Sequence, residues 1–483
     1  VKKTLLFILI AVCLFSCQKD PVYIPRTTTT APPVLMSLPA PIGTQITINI
    51  DASHPGAAIP ANFEGLSFET KILTDSPDIL NENDKTLIQL LKNLGAGVLR
   101  VGGDTSDEIF WTGQPRTSTT GPDSLTTTDV DRLSAFSRAC GWPVWYGLNM
   151  GYFQPDVAAN ETQYVANSLK GNLYMVEFGN EPDVYHLFGL RNKTYGFIDF
   201  QADWEAYLKS VSEKVPSATF SGPGNAYNTD FPAGFAAVEN KNVKFFDAHY
   251  YTTGPASDSS ITYHNLLNQD WKLPSYLYSI SNASVQYNIP YRITECNNIY
   301  GGGRAGVSDT FTAALWALNF MWTIAESNGS GINFHGGNGL FYSPIAVDKG
   351  VITAKPEYYA MLAFKYGGVG GAVIPVQLSQ TTYNCTAYAT VNTDQSNSFT
   401  LINKEEKTDF AFKIEMGKTV SEVDLMNLTA PTILSKTGTT FAGTTVSTDG
   451  SFAPKPLRYA TNNKSSFFIN VPAGSAVVIT VKQ

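Results

Sequence analysis

Apolar residues recur along this chain with two different periods, and the change from one to the other divides it. Between residues 62 and 366 short apolar runs alternate with stretches whose apolar residues are three and four apart. The runs Phe63–Phe68, Gly97–Val101, Val144–Asn149, Tyr174–Phe178, Thr219–Gly222, Val243–His249, Tyr291–Thr294 and Gly331–Phe334 read as strands. Between them Leu87, Leu90, Leu91 and Leu94, then Trp204, Tyr207, Leu208 and Val211, each mark one apolar helix face. Eight strand-then-helix units in succession predict an α/β fold, a (β/α)8 TIM barrel. An open doubly wound sheet is the competing architecture, but no Gly-rich dinucleotide fingerprint follows the first strand.

From residue 367 to residue 483 the helical period stops. Tyr383–Val391, Ser398–Ile402, Phe410–Ile414, Val423–Leu425, Phe467–Val471 and Ala476–Val481 are separated by Gly, Asn, Asp and Pro, which predicts a C-terminal β-sandwich. Ahead of the barrel, Ile46, Ile48 and Ile50 alternate with polar residues in the manner of a half-buried strand. Residues 42–61 are therefore assigned to the same β-sandwich, joined from the other end of the chain.

Residues 1–16 read as a signal peptide: Lys2 and Lys3, an apolar run from Leu5 to Phe15 too short to span a bilayer comfortably, then Ser16. Leu14-Phe15-Ser16-Cys17 resembles the lipobox of bacterial lipoproteins, which implies acylation of Cys17. Residues 17–41, with the Thr27–Thr30 run and Pro32-Pro33, read as an extended tether. The expected location is the bacterial cell envelope, outside the cytoplasm, with the lipid as the only membrane attachment.

Composition narrows the chemistry. The chain carries 33 basic and 41 acidic side chains, a net charge of -8, and no Lys/Arg run longer than a pair, which argues against a nucleic-acid partner. Beyond Cys13 and Cys17, the cysteines Cys140, Cys296 and Cys385 are widely spaced and suggest neither a disulfide framework nor a metal site. No cofactor is implied.

In such a barrel the active site lies where strands end and the following loops begin. The fourth strand runs into Gly179-Asn180-Glu181-Pro182 and the seventh into Glu295-Cys296-Asn297, so two carboxylates face each other across the barrel mouth. Glycoside hydrolysis needs one carboxyl to protonate the leaving oxygen and another, ionised, to attack the anomeric carbon from the opposite face. Glu181 is assigned as acid/base and Glu295 as nucleophile. Either alone reads equally well as a loop carboxylate in a solvated ion pair; their joint placement favours catalysis.

The Asn-Glu-Pro after the fourth strand resembles the acid/base motif of clan A glycoside hydrolases. Gly65-Leu66-Ser67-Phe68-Glu69, the segment Leu99 to Asp104, Val176 to Pro182 and Ile293 to Asn297 together resemble glycoside hydrolase family 79, the β-glucuronidases and heparanases. The resemblance implies that Asn180 bonds the sugar 2-hydroxyl, that Arg100 orients the nucleophile, and that Glu69 grips sugar hydroxyls. It also implies that Tyr251, Tyr300 and Tyr342 bind the C5 carboxylate of a glucuronic acid, since phenols and a Gly-rich backbone can donate to an anion. The plainer readings stay open: a turn-shaping Asn180, rim ion pairs for Arg100 and Glu69, and tyrosines stacked under a neutral sugar. Cys296 reads as a small buried residue.

The acidic balance departs from the heparanase side, where a sulfated substrate calls for clustered basic residues. The expected function is a retaining exo-acting β-glucuronidase whose partner is a glucuronic-acid-containing glycan. Its rivals are a clan A β-glycosidase for a neutral xyloside or glucoside, and a non-catalytic surface glycan-binding lipoprotein. Both carboxylates are intact, which counts against the last.

Overall fold

Eight parallel strands carry the barrel in a computed structural model that describes residues 35–348, 350–380 and 382–482. The signal segment, Cys17 and the tether as far as residue 34 lie outside the described residues. The strands are β1 (Gly65–Glu69), β2 (Val98–Gly102), β3 (Val144–Leu148), β4 (Leu173–Phe178), β5 (Ser221–Asn225), β6 (Phe245–Thr253), β7 (Tyr291–Ile299) and β8 (Ile332–Gly336). They pair in the order β4-β3-β2-β1-β8-β7-β6-β5. A bridge between Val176 in β4 and Phe220, just before β5, brings the two ends together and all but closes the barrel.

The amphipathic helices cover it as their spacing predicts. Lys85–Leu94 buries Leu87, Leu90, Leu91 and Leu94, and Asp84 caps it by accepting from the Leu87 N–H at 2.9 Å. Phe197–Lys214 buries Trp204, Tyr207 and Val211, with Leu208 only partly covered.

Two strands run four or more residues past the end of the apolar pattern. β6 runs on to Thr253 and β7 to Ile299, because Tyr250, Tyr251 and Thr253 keep pairing with Cys296, Asn297 and Ile299 after the apolar runs have ended. Glu295 thus stands inside β7 and not just past its end. The pairing moves from Ala248–Ile293 to His249–Glu295, leaving Thr294 as an extra residue, a bulge of the kind that re-aims side chains beside active sites.

Beyond the barrel the chain forms a sheet around one 20-residue strand, Phe410–Thr429. Val423–Leu425, expected as a separate strand, belongs to it: register shifts between Glu415 and Val420 absorb Gly417 (φ +65°) without ending the pairing. Thr44–Ile50 lies parallel to Phe410–Glu415 and antiparallel to Val376–Leu378, so an N-terminal strand does complete the C-terminal β-sandwich. The helix Phe311–Glu326, buried almost all round, joins the barrel to this sheet. Its Asn319 Oδ1 accepts from Thr386 Oγ1 (2.8 Å) and Tyr388 OH (3.0 Å), while Trp322 stacks on Tyr388 at 5.1 Å.

Ile46 and Ile48 are fully buried in the sandwich core. Ile48→Ala should therefore cost about 2–5 kcal/mol in urea unfolding, as for other large-to-small core changes. A cost below about 1 kcal/mol would show that the N-terminal strand does not belong to this core.

Candidate active site

Arg100, on β2, is 1% exposed, and a guanidinium taken that far from water is tolerable only if its donors are matched. All of them are. Nε donates to Glu177 Oε2 at 2.8 Å and Nη2 to Glu177 Oε1 at 3.3 Å and to Asn180 Oδ1 at 2.9 Å. Nη1 donates to Glu295 Oε2 at 2.8 Å and to Ser67 Oγ at 3.1 Å. One planar group thus ties β1, β2, β4 and β7 at the barrel mouth. Lysine, with a single rotatable head, has no equivalent geometry.

Glu295 receives Arg100 on one oxygen and the Tyr251 hydroxyl on the other at 2.8 Å, with His335 Nδ1 3.5 Å from Oε2. Burial by itself would push this carboxyl up. The charges of His335, His249 and Arg100, with the Tyr251 hydrogen bond, outweigh it and hold Glu295 well below the usual carboxylate range.

Glu181 follows β4 with φ +52°, a left-handed conformation uncommon outside glycine. Hydrogen bonds on both sides fix it: the Asn180 N–H donates to Asp107 Oδ2 and the Glu181 N–H to the Gly224 carbonyl, each at 2.9 Å. Asp107 also accepts from the Met150 and Gly151 N–H groups and from Tyr185 OH, all at 2.8 Å, locking the loops after β2, β3 and β4 together. The Glu181 side chain lies 2.9 Å from His249 Nδ1. Burial raises its pKa, helped by the charges of Glu295 and Asp183 and only partly opposed by His249.

Carboxylate oxygens of Glu181 and Glu295 lie within 4.8 Å of each other, with a ring nitrogen of His249 inside the same limit of both. These three are a set of donors near enough to surround a cation, but they already serve one another and Arg100. What the arrangement supplies is two carboxyls with opposite protonation preferences facing one cleft, the usual division between an acid and a base.

The other expected residues gather here with one departure. Asn180 turns its Oδ1 to Arg100 and its Nδ2 to Asp104 Oδ1 at 2.9 Å. Glu69 accepts from the Thr105 N–H (2.8 Å) and hydroxyl (2.6 Å), and His335 Nε2 lies 3.3 Å from its other oxygen. Tyr342 is buried and Tyr300 is 46% exposed, with ring centres 6.0 and 6.5 Å from that of Tyr251. Tyr251, expected to face a sugar carboxylate, instead gives its one O–H to Glu295.

Sequence reasoning missed Glu177, His249, His335 and Asp104. Glu177 sits in the apolar run Met175-Val176-Glu177-Phe178, where a buried carboxylate demands a cationic partner, and that demand was a usable signal. Only five histidines exist, and two of them lie inside barrel strands, His249 in β6 and His335 in β8. Asp104 carries no such mark. The desolvating cleft walls and the charges of Glu181, Glu295 and Glu69 raise its pKa to about 8, although its side chain is exposed at the rim.

No family model matches this chain. A β-glucuronidase of Aspergillus niger is 25% identical over 383 residues, 69% of this chain and 71% of that protein. A β-glucuronidase of Neurospora crassa is 24% identical over 380 residues, 66% of this chain and 65% of that protein. The chain thus spans about two thirds of the curated relatives it matches. Among solved structures, a 4-O-α-L-rhamnosyl-β-D-glucuronidase from Fusarium oxysporum, in complex with Rha-GlcA, has a TM-score of 0.74 at 20% identity, covering 90% of this chain and all (100%) of that one. A family 51 arabinofuranosidase from Xanthomonas axonopodis pv. citri has a TM-score of 0.67 at 16% identity, covering 91% of this chain and 100% of that one. Barrel and relatives together make this chain a glycoside hydrolase.

His249 lowers the pKa of both carboxyls, so replacing its charge in His249→Gln should move both limbs of the kcat/KM–pH profile to higher pH, measured on an alkyl glycoside that needs its leaving group protonated. Limbs that stay in place or move down would show that His249 does not set them.

Proposed function

We propose that this protein is a retaining, exo-acting β-glucuronidase that removes terminal glucuronic acid from glycans by double displacement. The observation that carries the mechanism is the pair Glu181 and Glu295, with oxygens within 4.8 Å and pKa values displaced in opposite directions. Retaining enzymes place their carboxyls about 5–5.5 Å apart, leaving no room for the intervening water that inversion uses.

In the first step a Glu295 oxygen bonds to the anomeric carbon as the C1–O bond to the leaving group breaks, and the Glu181 proton passes to the departing oxygen. In the second step Glu181, now ionised, takes a proton from water; the water oxygen bonds to C1 and the C1–Glu295 bond breaks. Arg100 and the Tyr251 hydroxyl hold Glu295 ionised and aimed. Asn180, positioned between Arg100 and Asp104, is proposed to meet the 2-hydroxyl, and Glu69 the ring hydroxyls on the β1 side.

The choice of glucuronic acid is supported by the two curated relatives, both β-glucuronidases, and by the tyrosines. Tyr342 and Tyr300 are proposed to donate to the C5 carboxylate, beside the Gly301-Gly302-Gly303 loop, whose φ values of +81°, +94° and +76° are left-handed throughout. Tyr251 is proposed to serve the nucleophile instead. The lipobox at Cys17 is proposed to anchor the enzyme to the cell envelope.

Glu295→Gln should abolish turnover on every substrate, whereas Glu181→Gln should keep usable activity on activated aryl glycosides and lose it on poor leaving groups. Proton NMR should show a first-formed product of retained configuration; an inverted product excludes the nucleophile assignment.

Tyr300→Phe and Tyr342→Phe should each lower kcat/KM on a glucuronide by roughly ten- to a hundredfold, as expected for a lost donor to an ion, and spare residual glucoside activity. Tyr251→Phe should reduce activity on all sugars alike. A wild type that cleaves glucosides or xylosides as well as glucuronides would overturn the choice of sugar and leave the carboxylate chemistry standing.

A further inference from the structure

The groups able to grip a sugar ring lie on one side of the carboxylate pair. Glu69 stands on β1, Asp104 just after β2, His335 on β8, Tyr342 and Tyr300 in the loops after β8 and β7, and Asn180 points back to Arg100 of β2. A glycone held by them occupies the half of the mouth that runs from β7 through β8 and β1 to β2. The leaving group, still within reach of Glu181, is left the acid's other flank, where β5 adjoins β4.

That flank carries an exposed aromatic on a clamped loop. Tyr227, in the segment between β5 and the helix Asp230–Glu239, is 64% exposed, and its ring makes no aromatic contact among the described residues. Asp183, two residues past Glu181, accepts from three successive N–H groups of this loop: Ala226 at 2.8 Å, Tyr227 at 3.1 Å and Asn228 at 3.0 Å. The Glu181 N–H meanwhile donates to Gly224 at 2.9 Å, so acid and loop share one hydrogen-bonded frame. Gly224 is needed there: its φ is +61°, and a Cβ would fall 2.6 Å from Glu177 Oε1.

We propose that Tyr227 is the platform on which the ring of the leaving group stacks, and that Asp183 is the positioning residue that holds the platform beside the acid. The ligand chemistry is a flat face with C–H or π surface, which an aryl group or a second pyranose can present. The inference rests on the glycosidase reading of Glu181 and Glu295, and assigns the leaving-group side that this reading leaves blank.

The test is kcat/KM, which reports the step that breaks the leaving-group bond, on two matched pairs of glucuronides. Dinitrophenyl glucuronide and glucuronosyl fluoride both leave without acid help, and only the first has a ring; a disaccharide with a pyranose leaving group and the methyl glycoside both need the acid, and again only the first has a ring. Tyr227→Ala should lower kcat/KM about tenfold on a ringed member and less than twofold on its ringless partner, and Tyr227→Trp should restore it. Asp183→Ala should reproduce the ring-dependent loss. A loss confined to the aryl pair identifies an aromatic leaving group; one confined to the disaccharide identifies a sugar. Equal losses within each pair, or no loss anywhere, overturn the platform. If the wild type cleaves no glucuronide, the sugar assignment has failed instead, and the same ratios on whichever aryl glycoside and glycosyl fluoride it does cleave decide the platform.

Discussion

Everything at the barrel mouth depends on the burial of one guanidinium. Arg100 is taken out of water at a desolvation cost of several kcal/mol, and only two carboxylates, an amide and a hydroxyl at hydrogen-bonding distance offset it. The dependence runs both ways, since without Arg100 the Glu177 and Glu295 carboxylates would be buried charges of like sign. The barrel must therefore bring β1, β2, β4 and β7 to the same register for any of these groups to be tolerated. That requirement couples the geometry of the carboxyl pair to the integrity of the fold.

Around this centre two residues of identical chemistry become different by position alone. Glu295 lies among Arg100, His335, His249 and the Tyr251 hydroxyl, which stabilise its anion; Glu181 has His249 alone on the favourable side, against burial and the charges of Glu295 and Asp183. His249 touches both regimes, because the bulge at Thr294 sets it opposite Glu295 while its ring reaches Glu181. The paired extension of β6 and β7 is what carries this arrangement above the apolar interior of the barrel.

Carboxylates also do the mechanical work of the rim. Asp107 gathers four donors from the loops after β3 and β4, and Asp183 gathers three from the loop after β5. Together they hold Glu181 in a backbone conformation that its own sequence does not favour. Acidic residues around Glu181 are thus divided between those that face the cleft and those that brace its loops, and residue type alone does not tell them apart.

What the sequence by itself determined about this protein is whatever local periodicity and strand-end position encode. The eight strand-helix units, the β-rich C-terminal region, the alternating strand at Thr44–Ile50 and the placement of Glu181 and Glu295 across the mouth were all legible, because burial imposes a period on neighbouring residues. Where polar residues continue a ladder, as Tyr250 to Thr253 do, that period is lost and the boundary was misplaced. The tertiary structure alone decided that Arg100 also meets partners 77 and 80 residues away, that Thr294 bulges, and that Tyr251 spends its hydroxyl on Glu295. It also decided that Phe410–Glu415 receives the N-terminal strand. These are matters of ångström distances between segments remote in the chain, and a hydrogen bond, unlike a hydrophobic period, leaves no trace in the spacing of the residues that make it.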